Sequence, residues 1–202
     1  MRTLIEGYRH FRKTYLKQNQ PLFKLLANGQ SPQAMVIGCC DSRVEPSLIF
    51  STPPGEIFTL RNIANLVPPY EPDGTYHGTS AAIEFAVKAL KVKDIIIMGH
   101  SCCGGVKALL DGQQGEFVGP WMQIVAEART HVLATDESGD HDILQERCEQ
   151  ENIRISLRNL RGYPWVAEAE ATGVLGLHGW YFDIEQGRLF TLDHSSLNFV
   201  DL

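Results

Sequence analysis

The 202-residue chain lacks any apolar run approaching the roughly 18 residues that span a bilayer, so no membrane segment is expected. It also lacks an excess of positive charge. The formal net charge is −6, which removes the electrostatic footprint of a nucleic-acid binder. The first residues carry Arg2, Arg9, Arg12, Lys13 and Lys17 but no apolar core, so a secretory leader is not expected. The cytoplasm is the expected compartment, with organelle targeting left open. No G-x-G-x-x-G follows an apolar run, which argues against a Rossmann-type nucleotide site. No internal repeat and no low-complexity tract appear.

Cysteine is scarce and oddly placed. There are five, and four form two adjacent pairs, Cys39-Cys40 and Cys102-Cys103. Neighbouring cysteines bridge each other only under severe strain. In a reducing compartment, metal binding is the better reading of such pairs. Cys148 lies in a charged helical stretch and reads as a small buried or half-buried apolar residue.

Short apolar runs alternate with helical patterns along the chain. "AMVIG" (34–38), "EIFTL" (56–60) and "DIIIMG" (94–99) read as strands bounded by Gly, Pro or charge. "TGVLGLHGWYFD" (172–183) and "GRLFTLD" (187–193) read as a further strand pair. Helical patterns cover 80–90, 104–110, 120–134 and about 142–160. The alternation predicts an α/β fold with a mainly parallel central sheet flanked by helices. Leu4, Tyr8, Phe11 and Tyr15 recur at helical spacing and predict an amphipathic helix that docks on the chain's own core or on a partner subunit. The Pro/Gly-rich stretch 67–78 reads as one surface loop, so a single domain is expected. Within it, 1–28 form a helical arm and 29–202 the core.

Both cysteine pairs follow strands directly, and in parallel sheets ligands gather beyond the carboxyl ends of strands. In an extended segment alternate residues share a side, which groups Cys39, Asp41 and Arg43. Where the chain turns into a helix, i and i+3 share a face, which pairs His100 with Cys103. Two thiolates and an imidazole suit zinc, with a fourth position left for water. The alternative is a closed structural site completed by Cys40 or Cys102. Asp41 and Arg43 argue against closure, because a carboxylate beside an open position can accept a hydrogen bond there and an arginine can hold it ionised.

"CCDSRV" (39–44) with "GHSCCGGV" (99–106) resembles the Cys-x-Asp-x-Arg and His-x-x-Cys signatures of β-class carbonic anhydrases. "GQSPQAMVIGC", "RNIANLVPPY" and "GTSAAIEFAV" resemble the plant-type branch of that family. The resemblance implies reversible hydration of CO2 to bicarbonate by a zinc-bound hydroxide, with about one zinc per chain held by Cys39, His100 and Cys103. It implies an Asp41–Arg43 catalytic dyad, a substrate-binding Gln30, and apolar pocket residues Phe58 and Ile63. The branch usually has a tyrosine where this chain has Phe85, so any bond from that hydroxyl is missing or replaced. Backbone N–H groups near Gly104 are expected to meet the developing oxyanion. Asp41 is expected to stay paired with Arg43 rather than swing onto zinc. Cys40 and Cys102 are expected to be spectators. His77, weighed as a proton shuttle, reads instead as a solvated loop histidine. The resemblance further implies an obligate homodimer whose N-terminal helices reach across the partner, with tetramers or larger assemblies left open. Hydrolysis of carbon disulfide or carbonyl sulfide on the same fold, and a non-catalytic structural or redox zinc module, are the alternatives.

Overall fold

Strand β1 (Ala34–Cys39) is buried at every residue from Met35 onward, and β3 (Asp94–His100) at every residue from Ile95 onward. Strands covered on both faces need apolar residues at successive positions, which is why both read as unbroken runs. The computed structural model, which describes residues 1–113 and 115–202, arranges six strands in the order β2-β1-β3-β4-β5-β6. The others are β2 (Ile57–Asn62), β4 (Gly176–Asp183), β5 (Arg188–Leu192) and β6 (Phe199–Asp201). The first four in spatial order are parallel, and β5 and β6 run antiparallel at one edge. This is the expected α/β architecture.

Chain order reverses beside β1, since β2 pairs on one side and β3 on the other. Such a switch opens a crevice at the carboxyl ends of the two central strands. Register fixes what meets there. Cys39 lies opposite Asn62, Gly38 opposite Met98, and His100 opposite Phe182. Cys39 and His100 therefore leave the sheet at the same edge.

Three helices, α1 (Arg2–Lys13), α2 (Tyr15–Gln18) and α3 (Gln20–Leu26), belong to a unit of their own, Met1–Ser31. The predicted single helix breaks at Thr14, so Tyr15 falls on α2. The rings of Phe11, Tyr15 and Phe23 cluster with centroids 5.8 to 6.2 Å apart. No residue of α1 is buried, and Leu4 and Tyr8 stay 75% and 59% exposed.

The second unit, Pro32–Leu202, contains the sheet and its covering helices. These are α4 (Pro46–Ile49), α5 (Gly78–Glu84), α6 (Gly104–Leu110), α7 (Val118–Met122), α8 (Ala126–Thr135), α9 (His141–Arg161) and α10 (Pro164–Ala171). Helix α5 continues as a π-helical turn, Phe85–Leu90, and stops at Lys91 with φ +56°. The single helix expected over 120–134 is instead α7, a 3-10 turn at Gln123–Val125, and α8. Helix α9 is long and capped by Asp140, whose side chain accepts from the Asp142 and Ile143 amides. It lies close on the sheet because Gly99 has no side chain. A Cβ there would sit 2.7 Å from Ile153 Cδ1. That approach brings α9 within reach of the turn after β3.

Candidate metal centre

Cys39 ends β1, His100 ends β3, and Cys103 precedes the first turn of α6. All three are buried, with 5%, 1% and 1% of their surface exposed. Their donor atoms lie within 4.8 Å of one another. These are the three that strand and helix spacing places on one side, and the fold brings them together. Cys40 and Cys102 are exposed and stand outside the group. Cys148 is fully buried, as expected for a small apolar residue, and burial pushes its thiol up to about 12.

The chemistry of the three donors fits a cation. His100 Nδ1 lies 2.9 Å from the Ser101 carbonyl oxygen. A carbonyl only accepts, so the ring proton sits on Nδ1 and Nε2 keeps a free lone pair. That Nε2 is buried and has no hydrogen-bond partner. An orphaned buried acceptor is costly unless something positive meets it. The contact with Cys103 holds the Cys39 thiol well below the usual thiol range, and the same contact together with burial drives Cys103 up. A divalent cation held between them would stabilise both sulfurs as thiolates.

Asp41 stands beside the group. Its backbone amide donates to Cys39 Sγ at 3.4 Å. Its carboxylate accepts from Arg43 Nε at 2.9 Å and from Arg43 Nη2 at 2.7 Å, a two-bonded fork, and from the Arg43 amide at 2.9 Å. The Arg43 fork is the main reason its carboxyl lies far below the usual carboxylate range. The Asp41 side chain is 17% exposed, so the carboxylate faces a partly open space. Asp41 and Arg43 thus form the pair read from the sequence.

Arg61, which the sequence reading passed over, braces this loop from β2. Its Nε donates to the Cys39 carbonyl at 2.8 Å and its Nη2 to the Asp41 carbonyl at 2.7 Å, while Nη1 pairs with Glu45. Arg61→Met is expected to lower unfolding free energy by about 2–4 kcal/mol in urea titration, since it strands two carbonyls. An unchanged midpoint and slope would contradict the brace.

Helix α9 holds the other loops through a polar stripe, also unread in the sequence. Asn152 Nδ2 donates to the Ala64 carbonyl at 2.8 Å and Asn159 Nδ2 to the Val67 carbonyl at 2.9 Å. Ser156 Oγ accepts from the Val67 amide. Glu149 accepts from the Cys103 amide at 2.7 Å. These side chains recur every three or four residues, a helical face of the period usually sought only for apolar residues.

Ile63 packs on the start of α6, where a Cβ on Gly105 would come within 2.9 Å of Ile63 Cγ2. Gly104 has open space where a side chain would be. Phe58 and Phe85 meet each other, with ring centroids 5.9 Å apart, and Phe85 is half exposed. Phe58 sits opposite Met35, four residues before the level of Cys39. Gln30 belongs to the Met1–Ser31 unit. His77 lies in the 67–78 loop, hydrogen-bonded to Asp73 and Thr75 near solvent.

The carbonic anhydrase family model matches residues 34–189. A carbonic anhydrase of Pseudomonas aeruginosa is 40% identical, in an alignment covering all of this chain and 92% of the relative. The solved β-carbonic anhydrase CcaA superposes with a TM-score of 0.94 at 37% identity, over all of this chain and 92% of that one. A tetrameric β-carbonic anhydrase from Sordaria macrospora superposes with a TM-score of 0.85 at 35% identity, over 95% of each chain. With the metal-binding group in place and relatives matching from end to end, the chain belongs to the β-carbonic anhydrase family, zinc enzymes that interconvert CO2 and bicarbonate.

Proposed function

We propose that Cys39, His100 and Cys103 hold the zinc ion in an open, three-ligand site and that Asp41 and Arg43 are its catalytic dyad. The observation that carries this is the convergence of three buried donors with a carboxylate clamped by arginine at their margin. Zinc held by these three residues would leave a position for water and would bring the pKa of that water toward about 7. Asp41 accepts the hydrogen bond of the attacking oxygen and so turns a lone pair toward the CO2 carbon. Arg43 keeps that carboxylate ionised and aimed. The Gly104 backbone N–H meets the charge developing on the product oxygen, and Gln30 is the substrate-binding glutamine that the family resemblance implies. Ile63, packed on the start of α6, supplies an apolar wall suited to a small substrate without a net dipole. Phe58 and Phe85 stand with each other at the level of Met35, and Phe85 brings a ring but no hydroxyl.

The solved Sordaria macrospora relatives are tetramers. For this chain a homodimer is the proposed building block, with the exposed stripe of Leu4 and Tyr8 on α1 seated on the partner. Leu4→Glu combined with Tyr8→Glu is then expected to halve the assembly mass in sedimentation. An unchanged mass would place the subunit contact elsewhere. A cytoplasmic location accords with five free thiols, of which two must stay reduced to bind metal.

X-ray absorption on the zinc-loaded protein tests the open site. Two sulfur and two nitrogen or oxygen neighbours are expected, whereas three sulfurs would mean closure by Cys40 or Cys102. A crystal structure at neutral pH with Asp41 on the metal would likewise overturn the dyad.

A further inference from the structure

One peptide unit in the site is gripped at both ends by charged side chains. It joins Cys102 to Cys103. Its carbonyl oxygen accepts from Arg43 Nη2 at 3.0 Å, and its N–H donates to Glu149 Oε1 at 2.7 Å. Glu149 is only 2% exposed. Gln145 Nε2 donates to the same Oε1 at 2.9 Å, and the Tyr181 hydroxyl donates to Oε2 at 2.9 Å. Gln145 and Tyr181 are buried as well. An unbroken line of hydrogen bonds therefore runs from Tyr181 through Glu149, one peptide and Arg43 to Asp41.

The arrangement is electrostatically consistent. The positive N–H end of the peptide faces a carboxylate and the negative carbonyl end faces a guanidinium, so each partner strengthens the other's bond. The peptide also needs holding, because Cys102 sits at φ +57°, a region that costs a side-chain-bearing residue energy. Fold stability alone does not call for a buried carboxylate. Well-packed apolar clusters often serve stability as well as buried charged ones do. What the carboxylate adds is a fixed acceptor aimed at the backbone of a metal ligand.

We propose that Glu149 is a positioning residue for the metal centre. Through the Cys102–Cys103 peptide it sets the Cys103 sulfur, and at the far end of that peptide it steadies Arg43 and hence Asp41. The proposal rests on the reading of Cys103 as a zinc ligand. Tyr181 and Gln145 hold Glu149 in turn.

The test uses zinc-loaded full chain carrying Glu149→Gln, Tyr181→Phe or, as a control, Ser156→Ala. Ser156 bonds the Val67 amide from the same helix but does not touch this peptide. The readouts are the rate of zinc transfer to excess chelator and the thiolate-to-cobalt absorption band of the Co2+-substituted protein. Glu149→Gln keeps the size but has one acceptor oxygen for three donors. It is expected to release zinc about tenfold faster or more and to shift the cobalt band, as outer partners of metal ligands do. Tyr181→Phe is expected to move both readouts the same way, by about threefold in rate. Ser156→Ala is expected to leave both unchanged. Release within about twofold of the parent, or equal acceleration by Ser156→Ala, would overturn the proposal. Should Glu149→Gln fail to fold, the Tyr181→Phe rate decides by the same criterion. A parent that takes up no zinc overturns the metal-centre reading and the proposal with it. A parent that holds zinc while the variants match it overturns the proposal alone.

Discussion

Cys103→Ala is expected to strip the protein of zinc, from about one per chain to a trace, and to reduce CO2 hydration to the uncatalysed background. The reason is coordination. Cys39 and His100 alone offer two donors, and a catalytic zinc site needs three. The loss is also local, because Cys103 is the one ligand supplied by the turn into α6. Cys102→Ser is the paired control. Cys102 is exposed and outside the donor group, so zinc content and hydration are expected to stay within about twofold of the parent. Metal analysis and stopped-flow hydration on the same samples check both variants. Zinc retained by Cys103→Ala, or lost from Cys102→Ser, would mean that the ligand set is wrong.

Asp41→Asn is expected to keep its zinc and lose about 10²–10³-fold in kcat/KM, the scale seen when one preorganised hydrogen bond to a reacting oxygen is removed. Asparagine has almost the same shape, so what changes is charge and donor pattern. An amide offers one accepting oxygen where Arg43 now uses two, at 2.9 and 2.7 Å. Its NH2 group would point either at the guanidinium, which repels it, or at the attacking oxygen, which then loses its acceptor. The Asp41 main-chain bond to Cys39 Sγ is untouched by the change, so metal affinity is expected to hold. Zinc content separates the outcomes. Activity lost together with zinc would make Asp41 a structural support of the cluster and not a participant in the chemistry.

The legible parts of this protein are those where one residue's type carries the information. Strands β1 and β3 are covered on both faces, so their sequences are continuous apolar runs. Two of the proposed metal ligands, Cys39 and His100, stand at strand ends and the third, Cys103, in the turn after β3, with spacings that decide which cysteine of each pair faces inward. The illegible parts depend on register or on partners distant in the chain. Arg61 acts through carbonyls of Cys39 and Asp41, and only the β1–β2 pairing brings it there. The polar face of α9 reads as a solvated stripe until the 63–67 and 102–103 loops are seen against it. Strand β6 is three residues long and gives no alternating pattern. The break between α7 and α8 follows no proline or glycine at the junction, so periodicity ran straight through it. Phe58 and Phe85 came from family resemblance, and the fold gives them to each other at the level of Met35.

Stopped-flow hydration of CO2 near pH 8, with zinc measured on the same sample, tests the central claim most directly. The account predicts fast hydration with about one zinc per chain. Full zinc occupancy with no hydration anywhere between about pH 7 and pH 9 would contradict it.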